Sequence, residues 1–212
     1  MTGSDRGELA LALVLAAVAG FVDAVGFLEL GSLFVSFMSG NSTQLALALA
    51  QTDWSTATLP AVIIATFVLG VVMGRLLVVL TGRWCRAVVL VGEAVLLAFS
   101  VRPAVPLHVG VLLMTFAMGL QNTAMHQAAG RKVSLTFMTG MLVHVGEKLA
   151  EAMLGGSFKD AVLESSMWFG FILGAAIGAL GFANYGRLSL AVPAGCLALA
   201  GLMCCLVTRQ RV

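Results

Sequence analysis

The residues with chemical potential are concentrated in one short phrase. FVSFMSGNST, residues 34–43, sets Ser36, Ser39, Gly40, Asn41, Ser42 and Thr43 close together, with Gln44 next, inside an otherwise apolar chain. About a hundred residues later VSLTFMTGML, residues 133–142, repeats the phrase with fewer polar letters and includes Thr139 and Gly140. Hydroxyl and amide side chains beside a helix start suit a carboxylate or other anion, because the first turn exposes backbone N–H groups and a partial positive charge. The same residues also serve as ordinary caps that satisfy their own backbone.

Acid–base chemistry has three further sources. Asp23 stands in an apolar run, where an ionisable side chain costs about 2.5–3.5 kcal/mol on insertion scales and faces a cavity or a partner. It suits proton or cation coupling, or the capping of a neighbouring half-helix. His144, Glu147 and Glu151 fall at i, i+3 and i+7, on one helical face. A His144–Glu147 pair can relay protons near neutral pH, or the charges simply mark the wet end of a helix. Gln121, Asn122, His126 and Gln127 form a polar end to another apolar segment. Glu93 and Arg75 read as an ion pair between two helices. The candidate site residues are therefore Asp23, Ser39, Gly40, Asn41, Ser42, Thr43, Asn122, His126, Thr139, Gly140, His144 and Glu147. His126 and His144 lack further ligands, so neither a metal nor a cofactor is expected.

The elements that position these residues belong to a membrane. Of the 212 residues 60% are hydrophobic and 10% charged, with a mean hydropathy of +1.03. Soluble domains carry about 25% charged residues, so this chain lacks the polar surface that water requires. The lipid bilayer is its first partner. A net charge of +2 without a basic patch excludes nucleic acid. Cys85, Cys196, Cys204 and Cys205 show no CxxC spacing and read as buried thiols. The run ending AVAG at 17–20 resembles a signal-peptide cleavage site, but the segment before it is not net positive, and residues 9–28 read as a retained helix.

Eight apolar segments can be marked, at about 9–30, 33–50, 58–81, 87–101, 107–127, 133–154, 165–183 and 187–207. The first four resemble the last four in order. GFVDA (20–24) matches GLQNT (119–123), SFMSGN (36–41) matches TFMTGM (136–141), FVLGVVMG (67–74) matches FILGAAIG (171–178), and GRW (82–84) matches GRL (186–188). One membrane domain thus divides into a first repeat, 1–104, and a second, 105–212. Gly70, Gly74, Gly170, Gly174 and Gly178 permit close packing of the third and seventh segments. Trp54, Trp84, Trp168 and Tyr185 fall near segment ends, as interfacial anchors do.

Lys and Arg choose the topology. If all eight segments cross, they divide six against six; if segments two and six dip in and return, ten lie with the termini and only Arg102 and Arg187 opposite. The expected fold is all-α, with inverted 3+3 transmembrane repeats, each carrying a broken or re-entrant half-helix at FM[ST]G. Gly40 is the expected break, with 33–40 loose and 42–51 helical.

At GFVDAVGFLELGSLFVSFMSGNST the chain resembles the YoaK-like family of bacterial membrane proteins. Gly20, Asp23, Ala24, Gly26, FMSGN (37–41) and TFMTG (136–140) carry the resemblance, which covers essentially the whole chain. It implies about six membrane segments and a permease-like protein without a settled substrate, and transfers no ligand residues.

No nucleophile–base constellation, P-loop or HExxH occurs, so no enzyme is expected. The leading reading is a secondary transporter of a small polar or anionic solute, with proton coupling as one option and a central site formed by Asp23, Asn41, Ser42, Asn122 and Thr139. A channel and a non-transporting interaction protein are the alternatives. The expected location is the inner (plasma) membrane with both termini cytoplasmic; a homo-oligomer is compatible with the GxxxG faces.

Overall fold

The computed structural model describes residues 3–125 and 138–210, and every regular element among them is helical. In chain order these are α1 (Gly3–Leu30), α2 (Met38–Ala50), α3 (Trp54–Thr81), α4 (Cys85–Ser100), α5 (Leu107–Met125), α6 (Met138–Met153), α7 (Phe158–Tyr185) and α8 (Ala191–Gln210). Short 3-10 turns at Gly82–Trp84 and Gly186–Leu190 join α3 to α4 and α7 to α8. Three continuous helical runs are long and apolar enough to cross a membrane: 7–30, 54–100 and 161–209. The two longer runs contain two helices each. Gly82 (φ +51) and Gly186 (φ +56) sit where the chain turns between them, in a left-handed conformation costly for other residues.

Close contacts fix the helix directions. Glycines remove the Cβ atoms that would otherwise hold backbones apart. A Cβ on Gly174 would collide with the Ala17 carbonyl oxygen, and one on Gly178 would lie 2.6 Å from that of Phe21. The pairs 17–174 and 21–178 advance together, so α1 and α7 are parallel. A Cβ on Gly70 would collide with the Phe116 oxygen, and one on Gly74 would lie 3.2 Å from that of Leu120. Hence α3 and α5 are parallel too. The spacing of these glycines predicted close packing, and their partners are α5 and α1.

Ion pairs orient the two sets. Arg86 at the start of α4 approaches Glu8 near the start of α1, at 3.5 Å. The end of α3 therefore lies with the beginning of α1, and those two helices run oppositely. At the other end Arg187, after α7, bonds Glu29 of α1 at 2.7 Å and the carbonyl of Ser100, the last residue of α4. Consequently α1, α4 and α7 run one way, and α3 and α5 the other. Gly201 of α8 packs on Leu90 and Val91, while Cys204 feels the charge of Arg86, so α8 is antiparallel to α4.

Several expectations need correction. The second helix begins at Met38, and Gly40 lies in its first turn; the irregular backbone is 31–37. The reason is local: the chain has already turned at Gly31, so no break is required at Gly40. α3 and α7 are 28 residues each, starting earlier than their apolar runs because Asp53 and Ser157 cap them. Trp168 consequently lies inside α7, not at its end. Arg75 and Glu93 do not pair: Arg75 is exposed on α3 while Glu93 is wholly buried on α4. All four cysteines are free; Cys85 alone is buried, and Cys196 is exposed on the apolar outer surface.

Candidate functional site

The polar phrase folds back against α1. Gly31 (φ +76) turns the chain, its N–H donating to the Phe27 carbonyl at 2.8 Å. Residues 31–36 then return beside the last two turns of α1. Gly26 makes room, since a Cβ there would lie 2.5 Å from Val35 Cγ1. Phe34 stacks between Phe27 and Phe37, with ring centroids 4.8 and 5.2 Å away.

Backbone in this segment has no helical partners, and lipid offers none. Two side chains supply them. Asp23 Oδ1 accepts from the Val35 and Ser36 N–H groups at 3.0 and 2.9 Å, and the Ser36 hydroxyl joins the same carboxyl. Asn41 reaches back to Phe34, accepting its N–H at 2.9 Å and donating to its carbonyl at 2.6 Å. Both side chains are buried. Seven residues separate Asp23 from Leu30, so the segment descends about 10 Å below the end of α1. α2 starts from that depth and ends beside α3, whose first residue lies at the same end of the bundle as Leu30.

The remaining candidates divide clearly. Ser42 and Thr43 donate to the Met38 and Ser39 carbonyls of their own helix and are exposed. Ser39 and Thr139 are exposed in the first turns of α2 and α6. Gly40 packs under the Phe37 ring, and Gly140 is half-buried. Asn122, buried on α5, donates to the Met118 carbonyl. Met141, in the position of Asn41, is buried. His144 and Glu147 do meet, Nδ1 to Oε2 at 3.1 Å, but on an exposed face, and Lys148 bonds Glu151 beside them. His126 and Gln127 lie outside the described residues. Asp23 and Asn41 thus converge on residues 34–36, whereas Ser42 and Thr139 do not join them.

Two constellations escaped the sequence reading. Arg187 clamps the bundle end away from the termini: Nε donates to Glu29 Oε1, and Nη1 to the Ser100 and Val105 carbonyls at 3.3 and 3.2 Å. Glu29 and Arg187 are 158 positions apart, so only their place at the ends of apolar runs hinted at pairing. The second sets side by side two residues that the sequence reading had placed apart, Glu93 and Gln121: neither the carboxyl oxygens of the one nor the amide atoms of the other have a hydrogen-bond partner among the described residues.

Buried backbone stapled by an intramembrane carboxyl, within a wholly helical set of apolar elements, defines an integral membrane protein. The chain belongs to the family described as protein of unknown function, DUF1275, whose pattern matches residues 11–203. It is 33% identical over 190 residues to the UPF0700 transmembrane protein RA0705 of Rhizobium meliloti (strain 1021), covering 89% of this chain and 83% of that protein. It is 30% identical over 207 residues to the UPF0700 transmembrane protein YoaK of Bacillus subtilis (strain 168), covering 91% and 92%. The resemblance to a YoaK-like family therefore holds along nearly the whole chain. No solved structure matches it.

Proposed function

We propose that this protein is a secondary transporter of a small polar or anionic solute, built from two halves of opposite orientation, 1–104 and 105–212. One observation carries the reading: the interhelical contacts of one half recur, register for register, in the other. Gly20 meets Phe171 as Gly119 meets Phe67; Gly174 meets Ala17 as Gly70 meets Phe116; Gly178 meets Phe21 as Gly74 meets Leu120. Each contact joins residues of different halves, and the equivalent helices α1 and α5 run oppositely, as do α3 and α7. Inverted repeats with discontinuous helices at their interface are a recurrent carrier architecture.

The short helices fit this scheme. α2 has 13 residues, about 20 Å of helix, against a hydrocarbon core of about 30 Å. It is read as half of a re-entrant element entering and leaving at the Leu30 end, with α6 its equivalent at the opposite end. No side chain caps the start of α2, and its first turn holds no acidic residue, which suits an anionic group. Six crossings then place Arg83, Arg86, Lys159 and Arg209 with the termini and Arg102 and Arg187 opposite, orienting both termini to the cytoplasm of the plasma membrane. The Arg187–Glu29 clamp closes the outer end, which fits alternating access.

Two measurements test this. Single cysteines replacing Ser32 and Ser55 in a cysteine-free background should both react with an impermeant thiol reagent on intact cells; reaction of only one makes the halves parallel. In proteoliposomes, uptake of small polar and anionic solutes should saturate and show counterflow, and fall at least tenfold in Ser39→Trp and Thr139→Trp. Unsaturable flux means a channel, and unchanged uptake in both variants removes the site from the helix starts.

A further inference from the structure

Glu93 and Gln121 are buried polar side chains that nothing described above uses. Glu93 is 0% and Gln121 1% exposed. An ionised carboxylate at this depth, without donor or cation, is unstable. On α4, Val89, Glu93, Leu96 and Ser100 form one stripe at i, i+4, i+7 and i+11. Val89 and Leu96 pack with Leu120 and Phe116 of α5, and the Ser100 carbonyl lies 3.4 Å from a Cβ placed on Gly110. Glu93 is therefore on the face of α4 turned to α5. Gln121 lies eleven residues after Gly110 on the matching stripe of α5.

The register sets them on facing stripes about one turn apart, with no hydrogen bond between them. Val89 pairs with Leu120 and Ser100 with Gly110, so the two helices are antiparallel and Glu93 stands level with residues 116–117. Gln121 is about 7 Å further along at 1.5 Å per residue. Helical side chains lean towards their own N-terminus, and in an antiparallel pair these two lean into the interval between them. Their counterparts in the other half, by the offsets of the matched segments, are Leu197 and Val22, both wholly buried and apolar. The fold thus tolerates hydrocarbon here, and the polar pair occurs on one side only.

We propose that Glu93 is a proton-binding site in the membrane interior, with Gln121, which makes no hydrogen bond to it in this structure, as the residue that accepts its O–H once the proton is bound. A proton from water binds the carboxylate to give a neutral acid that donates to Gln121 Oε1; on exposure to the opposite side the proton returns to water. An alkali ion is less well served, since the pair offers three oxygens where such ions take about six. Among the described residues no other charge faces the site: Arg75 of α3 is exposed, His108 of α5 and Arg209 of α8 are near helix ends, Arg83 stacks on Trp84, Arg187 is bound to Glu29, and Arg86 lies two turns away with Glu8. Asp23 is committed to Val35 and Ser36. Use of this proton for coupling rests on the transporter reading; its binding does not.

Infrared difference spectroscopy of the purified, reconstituted protein across pH tests the binding. The wild type should show a protonated-carboxyl band at neutral pH that Glu93→Gln abolishes and Gln121→Leu shifts while leaving the acid in place. A band that persists in Glu93→Gln, or its absence in the wild type with stability that depends on alkali ions, overturns the proposal. In transport assays Glu93→Gln should retain counterflow and lose accumulation driven by a pH gradient. Gradient-driven accumulation intact in Glu93→Gln refutes the coupling role. A Glu93 band in a protein without flux leaves the proton site standing and removes the transporter.

Discussion

Asp23 and Glu93 are carboxyls sealed in the same bundle and held in opposite ways. Asp23 receives two backbone N–H groups and a hydroxyl, and ties a non-helical segment to α1. Glu93 receives nothing among the described residues. A buried acid with a full complement of donors is explained by the fold it supports. One without donors must be accounted for by something it takes up. The contrast moves the chemistry away from the residue that looks most reactive in the sequence.

Replacing each acid by leucine tests the contrast most sharply. Asp23→Leu strands the Val35 and Ser36 N–H groups, and at 1–3 kcal/mol per unsatisfied donor the loss should be about 3 kcal/mol, read from thermal unfolding in detergent. Asn41→Ala removes both bonds to Phe34 and should cost about 2 kcal/mol in the same assay. Glu93→Leu, placing in α4 what Leu197 provides in α8, should change stability by less than about 1 kcal/mol or raise it. Equal losses in Asp23→Leu and Glu93→Leu would erase the distinction. Ser42→Ala and Thr43→Ala should stay within about 0.5 kcal/mol, being exposed and bonded to their own helix.

The smallest effect concerns an acid outside the apolar segments. Asp53 caps α3, and hydrogen bonds from Ser55 and Thr56 lower its carboxyl from 3.8 to about 2. A lowered value means stabilisation present above about pH 4 and lost as the pH falls towards 2. Asp53→Ala should therefore unfold at a slightly lower temperature than wild type at pH 7, and the two should converge near pH 2.

Hydropathy and the scarcity of charge determined the class, because lipid admits helices whose backbone is satisfied internally and rejects most charged side chains. The recurrence of GFVDA as GLQNT, and of the glycines of α3 in α7, was visible because helix packing in lipid depends on small residues at fixed spacing. Asp23 and Asn41 stood out as polar letters in apolar runs. Their partners did not, because hydrogen bonds to backbone leave no mark in residue type. Only the tertiary structure decided that Gly31, rather than Gly40, turns the chain, since both are glycines and the choice follows from where α1 leaves room for Val35. It likewise parted Glu93 from Arg75 and joined Glu29 to Arg187, because charge pairing over 158 residues depends on helix direction and register, which composition does not encode.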